Sequence, residues 1–143
     1  MSMASVEVKR RALKNIIRAY TTGNLKLLDE IFTRDATYTF YGTTKFAGVN
    51  NALATIRELG KKVFPEGIKF DIKKIIVEGE FGCIHWEDFA KKEGRNYHNY
   101  GVFFVQFKDE KIVRLWEYID YERFKVFLDY DRYQRKIGRS AYG

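Results

Sequence analysis

Apolar positions along the chain recur at helical spacing near the start and alternate along most of the second half. From about Ser5 to Thr22, Val6, Leu13, Ile16, Ile17 and Tyr20 fall close to one helical face, and Ser5 offers an N-cap. Gly23-Asn24 breaks that helix. A short second helix is expected over Leu25 to Phe32, with Leu27, Leu28, Ile31 and Phe32 as its stripe. Asp35 to Gly42, rich in Thr and aromatic residues, reads as a strand. After Gly48, Asn50 or Asn51 can cap a third helix through about Val63, buried by Leu53, Ile56, Leu59 and Val63. Pro65-Glu66-Gly67 ends it.

Four long strands come next, over about Ile68–Glu78, Phe81–Lys92, Asn96–Lys108 and Ile112–Asp120. The links Gly79-Glu80, Glu93-Gly94 and Asp109-Glu110 are too short for anything but antiparallel hairpins. A last helix is expected from Tyr121 to about Lys136 or Ile137, carrying Phe124, Phe127, Leu128, Tyr133 and Ile137, with Asp120 as its cap. The order predicts an α+β fold: a curved antiparallel sheet wrapped around three N-terminal helices as a cone-shaped α+β barrel, plus a C-terminal helix. No linker or repeat divides residues 1–143, so one domain is expected, with its core at about 7–120. Three helices do not fill a strongly bent sheet, and a cavity is expected between them.

Strand parity sorts the side chains. In the last strand Val113, Leu115, Glu117 and Ile119 form an apolar face with one carboxylate, assigned inward, leaving Arg114, Trp116, Tyr118 and Asp120 outward. In the strand before it Phe103, Val105 and Phe107 set the inward phase, which brings Tyr97, Asn99 and Gly101 inward as well. A two-residue turn at Glu93-Gly94 pairs Lys92 with Arg95. Counting back puts Asp88 opposite Asn99, Trp86 opposite Gly101, and Ile84 opposite Phe103. A slip of one residue would instead turn His85 and Glu87 inward.

Two carboxylates on an apolar face narrow the chemistry. A buried carboxylate is costly unless paired or protonated. Desolvation, and a second carboxylate nearby, push a carboxyl pKa toward neutrality, where the group can take and return protons. Glu117 is therefore the candidate acid/base and Asp88 its partner, with Asn99 and Tyr97 positioning a polar group. Trp86, Phe103, Tyr20, Tyr38, Phe40, Leu115 and Ile119 are the candidate substrate-binding walls, with Tyr41 beside them. The alternative is a Glu117 that pairs with a helix Lys or Arg, or that stands at a rim in water.

Composition adds limits. Aromatic residues make up 17% of the chain, enough for a thick core, an aromatic-lined cavity or an adhesive surface. The single cysteine, Cys83, excludes an intramolecular disulfide. Two histidines and no Cys/His cluster leave no zinc pattern, and no cofactor is expected. No apolar run reaches the ~20 residues of a membrane span and no apolar leader opens the chain, so a cytoplasmic protein without a membrane partner is expected. The net charge of +7 is scattered apart from Lys9-Arg10-Arg11 and the 132–139 tail. No recognition motif accompanies it, so nucleic acid is not an expected partner. Trp116, Tyr118, Tyr100 and His98, with Phe104, share the outer sheet face. Left bare, such a face is adhesive. A homodimer packed sheet on sheet is expected there, the alternative being cover by Phe124 and Phe127 of the last helix.

These residues also resemble a known family. Lys111-Ile-Val-Arg-Leu-Trp-Glu-Tyr-Ile-Asp120 resembles the closing strand of SnoaL-like proteins in the nuclear transport factor 2-like superfamily. Gly23-Asn24-Leu25, Phe32, Asp35-Ala36-Thr37 and Phe46-Ala47-Gly48 resemble its opening. Tyr97 to Phe107 with Trp116-Glu117-Tyr118, and the Val63-Phe64-Pro65 junction, are similar to the small phenazine-biosynthesis proteins of the A/B type. The resemblance spans residues 7 to about 128. It implies a cone-shaped fold, a small apolar or aromatic ligand, a pocket acid at Glu117 and a polar partner at Asn99. An inward histidine of those proteins corresponds to Phe103 here. The ketosteroid isomerase set is not matched: its base falls near Phe40, and its oxyanion groups near Ile17 and at Phe103. What remains implied is an isomerase, cyclase, dehydratase or condensing enzyme, or a non-catalytic binding module of the same fold.

Overall fold

A computed structural model describes residues 3–40 and 44–128. Tyr41, Tyr133, Ile137 and the basic 132–139 tail lie outside the described residues, as does the last helix beyond 128.

The elements run α1 (Met3–Thr22), α2 (Lys26–Ile31), β1 (Phe32–Phe40), β2 (Thr44–Ala47), α3 (Val49–Val63), β3 (Ile68–Glu78), β4 (Phe81–Lys92), β5 (Arg95–Lys108) and β6 (Lys111–Ile119). A helix over 121–128 ends the described chain, here α4. The strands form one sheet in the order β2-β1-β6-β5-β4-β3. Every neighbouring pair is antiparallel except β1 with β6. The parallel join lets the first strand return beside the last and lays the three helices over one face. Three register shifts, in β1, β3 and β6, bend the sheet around them. In the main core cluster Leu13, Ile16 and Ile17 of α1, Leu28 of α2 and Ile56 of α3 meet Ile84, Trp86, Phe103, Val105 and Leu115 of the sheet, and a second, smaller cluster joins Val63, Tyr97, Phe124 and Phe127. None of the described helices is long and apolar enough to cross a membrane.

The hairpin registers obey the parity argument. Asp88 pairs with Asn99, Trp86 with Gly101, Ile84 with Phe103 and Lys92 with Arg95. Gly101 is required by contact: a Cβ there would stand 2.5 Å from Trp86 Cζ2 and 2.8 Å from the Tyr118 carbonyl. His85 is exposed, and Glu87 lies on the outer side, paired with Lys73 at 3.1 Å and near His98 at 3.4 Å.

Several sequence expectations are corrected. Ser5 lies inside α1, which begins at Met3. The third helix is capped by Gly48, at φ 86°, without a side-chain cap, and Asn50 and Asn51 fall in its first turn. A short strand, β2, appears where none was expected, and β1 begins at Phe32 directly after α2. Val113 does not share the inward face. It is the extra residue of a β-bulge, because Phe107 pairs with Ile112 and Gln106 with Arg114. Ile112 is fully buried in its place. The bulge sets the phase of the rest of β6: Ile112 and Leu115 both point inward, and Glu117 and Ile119 keep Leu115's side. Without it, the parity set by Ile112 would turn Glu117 outward.

Candidate active site

Glu117 is carried by β6, opposite Phe103 of β5 and beside Phe40 of β1. Two tyrosines from separate elements converge on one of its oxygens. Tyr38 of β1 donates to Glu117 Oε1 at 2.5 Å, and Tyr20, in the last turn and a half of α1, donates at 3.4 Å. The Tyr20 ring stacks on Phe103 at 5.5 Å, and Phe103 and Phe70 both pack on Trp86, at 5.3 and 5.1 Å. The carboxyl therefore stands among rings, with two phenol donors as its polar company.

This wall borders a cavity of about 710 Å³ between the sheet, the α1–α2 turn and the second half of α3. The volume suits a small organic ligand. Glu117, Asp88, Tyr97, Trp86, Phe103, Tyr20, Phe40 and Ile119 all line it. Asn99, Tyr38 and Leu115 are not among the lining residues; they stand one layer behind. Asn99 is fully buried and its amide is engaged: Nδ2 donates to the Tyr97 hydroxyl at 2.7 Å and the Asp120 carbonyl at 3.0 Å, while Oδ1 accepts from the Tyr100 N–H. It fixes Tyr97 and the end of β6, so any effect on a ligand passes through Tyr97. Asp120 also caps α4, accepting from the Arg123 N–H at 3.3 Å.

Sequence reasoning missed part of the wall. Phe70 faces Asp88 across the β3–β4 ladder and lines the cavity. Its alternation with Ile68 carried the signal. Phe64, at the α3 C-cap, and Phe124 of α4 also line it. Phe124 packs on Phe40 and Tyr97, and Phe127 on Phe64 and Tyr97. Over 121–128 the helix thus packs Phe124 and Phe127 on the cavity side, while its Arg123 lies over the Tyr100 ring on the outer face at 5.1 Å.

Burial sets the electrostatics. It pushes the Glu117 carboxyl up to about 7, against the two tyrosine hydrogen bonds that favour the anion. Burial first, and the Glu117 charge second, push Asp88 up to about 7, against backbone N–H groups of Asp88 and Asn99. The two carboxyls oppose each other's ionisation, so near neutrality one proton is readily held and readily given up. Burial and the neighbouring carboxylate keep the Tyr20 and Tyr38 hydroxyls protonated far above their ordinary range, so both remain donors. No group of three or more His, Cys, Asp or Glu residues that could hold a metal ion occurs among the described residues.

Comparison with known proteins returns the same architecture. Residues 13–115 match the SnoaL-like domain. The chain belongs to the SnoaL-like domain family. Solved structures agree on the fold. A protein described as a SnoaL-like polyketide cyclase, from Jannaschia sp. CCS1, is 14% identical, with 80% of this chain and 89% of that one covered and a TM-score of 0.69. An M. tuberculosis epoxide hydrolase-like protein is 19% identical over 85% and 90%, with a TM-score of 0.70. TerC, co-crystallised with polyporic acid, is 12% identical over 85% and 98%, with a TM-score of 0.74. No curated protein sequence matches the chain. At these identities the SnoaL-like fold is what is shared.

Proposed function

We propose that this SnoaL-like protein is a cofactor-independent enzyme that uses Glu117 as acid and base on a small, cyclic, largely apolar carbonyl compound. The observation that carries the reading is one carboxyl, held by Tyr38 and Tyr20, standing in an aromatic cavity with its pKa pushed to about 7. In the chemistry we infer, ionised Glu117 takes a proton from the carbon next to a carbonyl. The C–H electron pair moves into an enolate, whose oxygen takes over the Tyr20 hydrogen bond as Glu117 becomes protonated. Where a neighbouring double bond extends the enolate, returning the proton to the far carbon of that double bond completes an isomerisation. Attack of the enolate carbon on a second carbonyl, whose oxygen takes the proton from Glu117, completes a ring closure or condensation. When Glu117 then removes a second proton from the same carbon and returns it to that hydroxyl, the C–O bond breaks and water leaves, which gives a dehydration. Each route balances in atoms and charge with no external oxidant or reductant. Asp88 tunes the proton affinity of Glu117. That proteins described as a SnoaL-like polyketide cyclase and an epoxide hydrolase-like protein share this fold supports a small-molecule reading. The test is proton exchange at the activated carbon of an aromatic ketone in heavy water, with the wild type against Glu117→Gln. The alternative, a non-catalytic ligand-binding module, retains ketone binding without exchange.

The outer sheet face supports a second element of the proposal, a homodimer. Phe104 stacks on Phe81 and packs on Trp116, both at 5.7 Å, and Tyr100, Phe104 and Tyr118 are 38%, 38% and 44% exposed. Arg123 of α4 lies over the Tyr100 ring at 5.1 Å at the edge of this face, and His98 borders it beside Tyr100. Such a surface favours burial against a second copy. Sedimentation at micromolar concentration is expected to give a dimer for the wild type and a monomer for Trp116→Ala/Tyr118→Glu. A monomeric wild type would remove this element and leave the cavity chemistry untouched.

A further inference from the structure

Two polar atoms inside the cavity wall have no hydrogen-bond partner among the described residues: Trp86 Nε1 and Asp88 Oδ1. Their residues are 1% and 4% exposed, and both line the cavity. They stand two positions apart on one strand, so their side chains share a face. An orphaned buried donor or acceptor is costly, and most find a partner. An indole N–H can only donate, and a carboxyl oxygen accepts and, when protonated, donates. A hydroxyl or carbonyl oxygen of a ligand meets both needs.

The mouth asks for a different group. Lys26, from the first turn of α2, and Arg57 and Lys61, from α3, line it and are exposed. None of the three has an ion-pair partner among the described residues. The carboxyls lining the cavity, Asp88 and Glu117, lie on the sheet, so the exposed charges that line the mouth are positive. Such a field concentrates anions. Between the two polar zones the walls are aromatic: Tyr20, Phe70, Phe103, Phe64, Tyr97 and Phe124.

We propose that the cavity takes an oxygenated aromatic acid, a flat ring system with a hydroxyl or carbonyl oxygen against Trp86 and Asp88 and an anionic oxygen group against Lys26, Arg57 and Lys61. This rests on the reading of the cavity as the substrate site and names the substrate class it serves. The polar groups divide the work: the mouth selects and orients, the inner pair fixes depth, and the ring between them is presented to Glu117.

Calorimetric titration with three probes tests it on the intact protein: rhein, a dihydroxyanthraquinone carboxylic acid; its methyl ester; and anthracene carboxylic acid, which keeps the ring frame and the carboxylate but lacks both the hydroxyls and the ring carbonyls. Rhein is expected to bind about tenfold more tightly than its ester, the effect of a few partly screened ion pairs, and to lose that advantage in high salt or in Arg57→Glu/Lys61→Glu. It is expected to bind about tenfold more tightly than the acid without ring oxygens, and Trp86→Phe is expected to erase that second difference. The wild-type probe comparisons stand even if a variant fails to fold. Equal affinity for acid and ester overturns the anionic part, and equal affinity with and without the ring oxygens overturns the inner anchor. In either case the cavity still binds and the reading of it as a ligand site survives. Failure of all three probes to bind overturns both.

Discussion

Glu117→Gln is expected to slow ketone proton exchange by about 10²- to 10⁴-fold, the usual contribution of a positioned general base. Gln keeps the shape of Glu, and its amide oxygen can still accept from Tyr38 and Tyr20, so the cavity wall stays in place. What it cannot do is hold a proton. The wild-type rate should rise with pH through the region of about 7, because the base form of Glu117 is the active one, and then level off. Deuterium incorporation into α-tetralone, monitored by NMR, measures the rate, and circular dichroism checks the fold. Equal exchange by the two proteins would end the catalytic reading and leave the binding module.

Stability should fall as pH rises from about 4.5 to about 7, the reverse of the trend that paired surface carboxylates give. Folding raises the Glu117 and Asp88 carboxyls from 4.5 and 3.8 to about 7. Between those values the folded chain holds protons that the unfolded chain has released. The unfolded state binds fewer protons, so the unfolding free energy declines with pH and stops declining once both states are ionised. Each tenfold displacement of a proton equilibrium is about 1.4 kcal/mol, so the loss across the window is expected to reach a few kcal/mol. Glu87 and Asp35, both lowered by hydrogen bonds, pull the other way, but they are solvent-screened and their effect is small. Urea midpoints at about pH 5 and pH 8 isolate the buried pair when the wild type is set against Asp88→Asn/Glu117→Gln. The double variant should lose most of the slope. A wild type that gains stability with rising pH, with the same slope in the variant, would mean that the carboxyls reach water.

Legibility in the sequence tracked the strength of local rules. Two-residue links forced the hairpins, and the Glu93-Gly94 turn alone placed Asp88 across from Asn99 and Trp86 across from Gly101. Long alternating strands gave β3 and β4 to the residue. What escaped was whatever depends on distant contacts. The β6 bulge at Val113 leaves no mark in the alternation, because Ile112 and Val113 are equally apolar; Glu117 was placed inward through Leu115 and Ile119, which share its phase. Pairing of β1 with β6, which brings Tyr38 to Glu117, is a meeting of residues 79 apart that periodicity cannot reveal. Phe124 and Phe127 showed that the last helix needs a surface, and only the tertiary fold decides that this surface is the cavity rim. Asn99 was legible as inward and polar, but the saturation of its amide by Tyr97 and Asp120 was not.

All of the proposed chemistry requires that Glu117 keep its proton to near-neutral pH, and carbon-13 NMR of the side-chain carboxyl reads this directly. The resonance is assigned by its absence in Glu117→Gln and tracked across the titration. A midpoint close to 7 is the expected result. A midpoint at the ordinary 4.5 would show a solvated carboxylate and contradict the account.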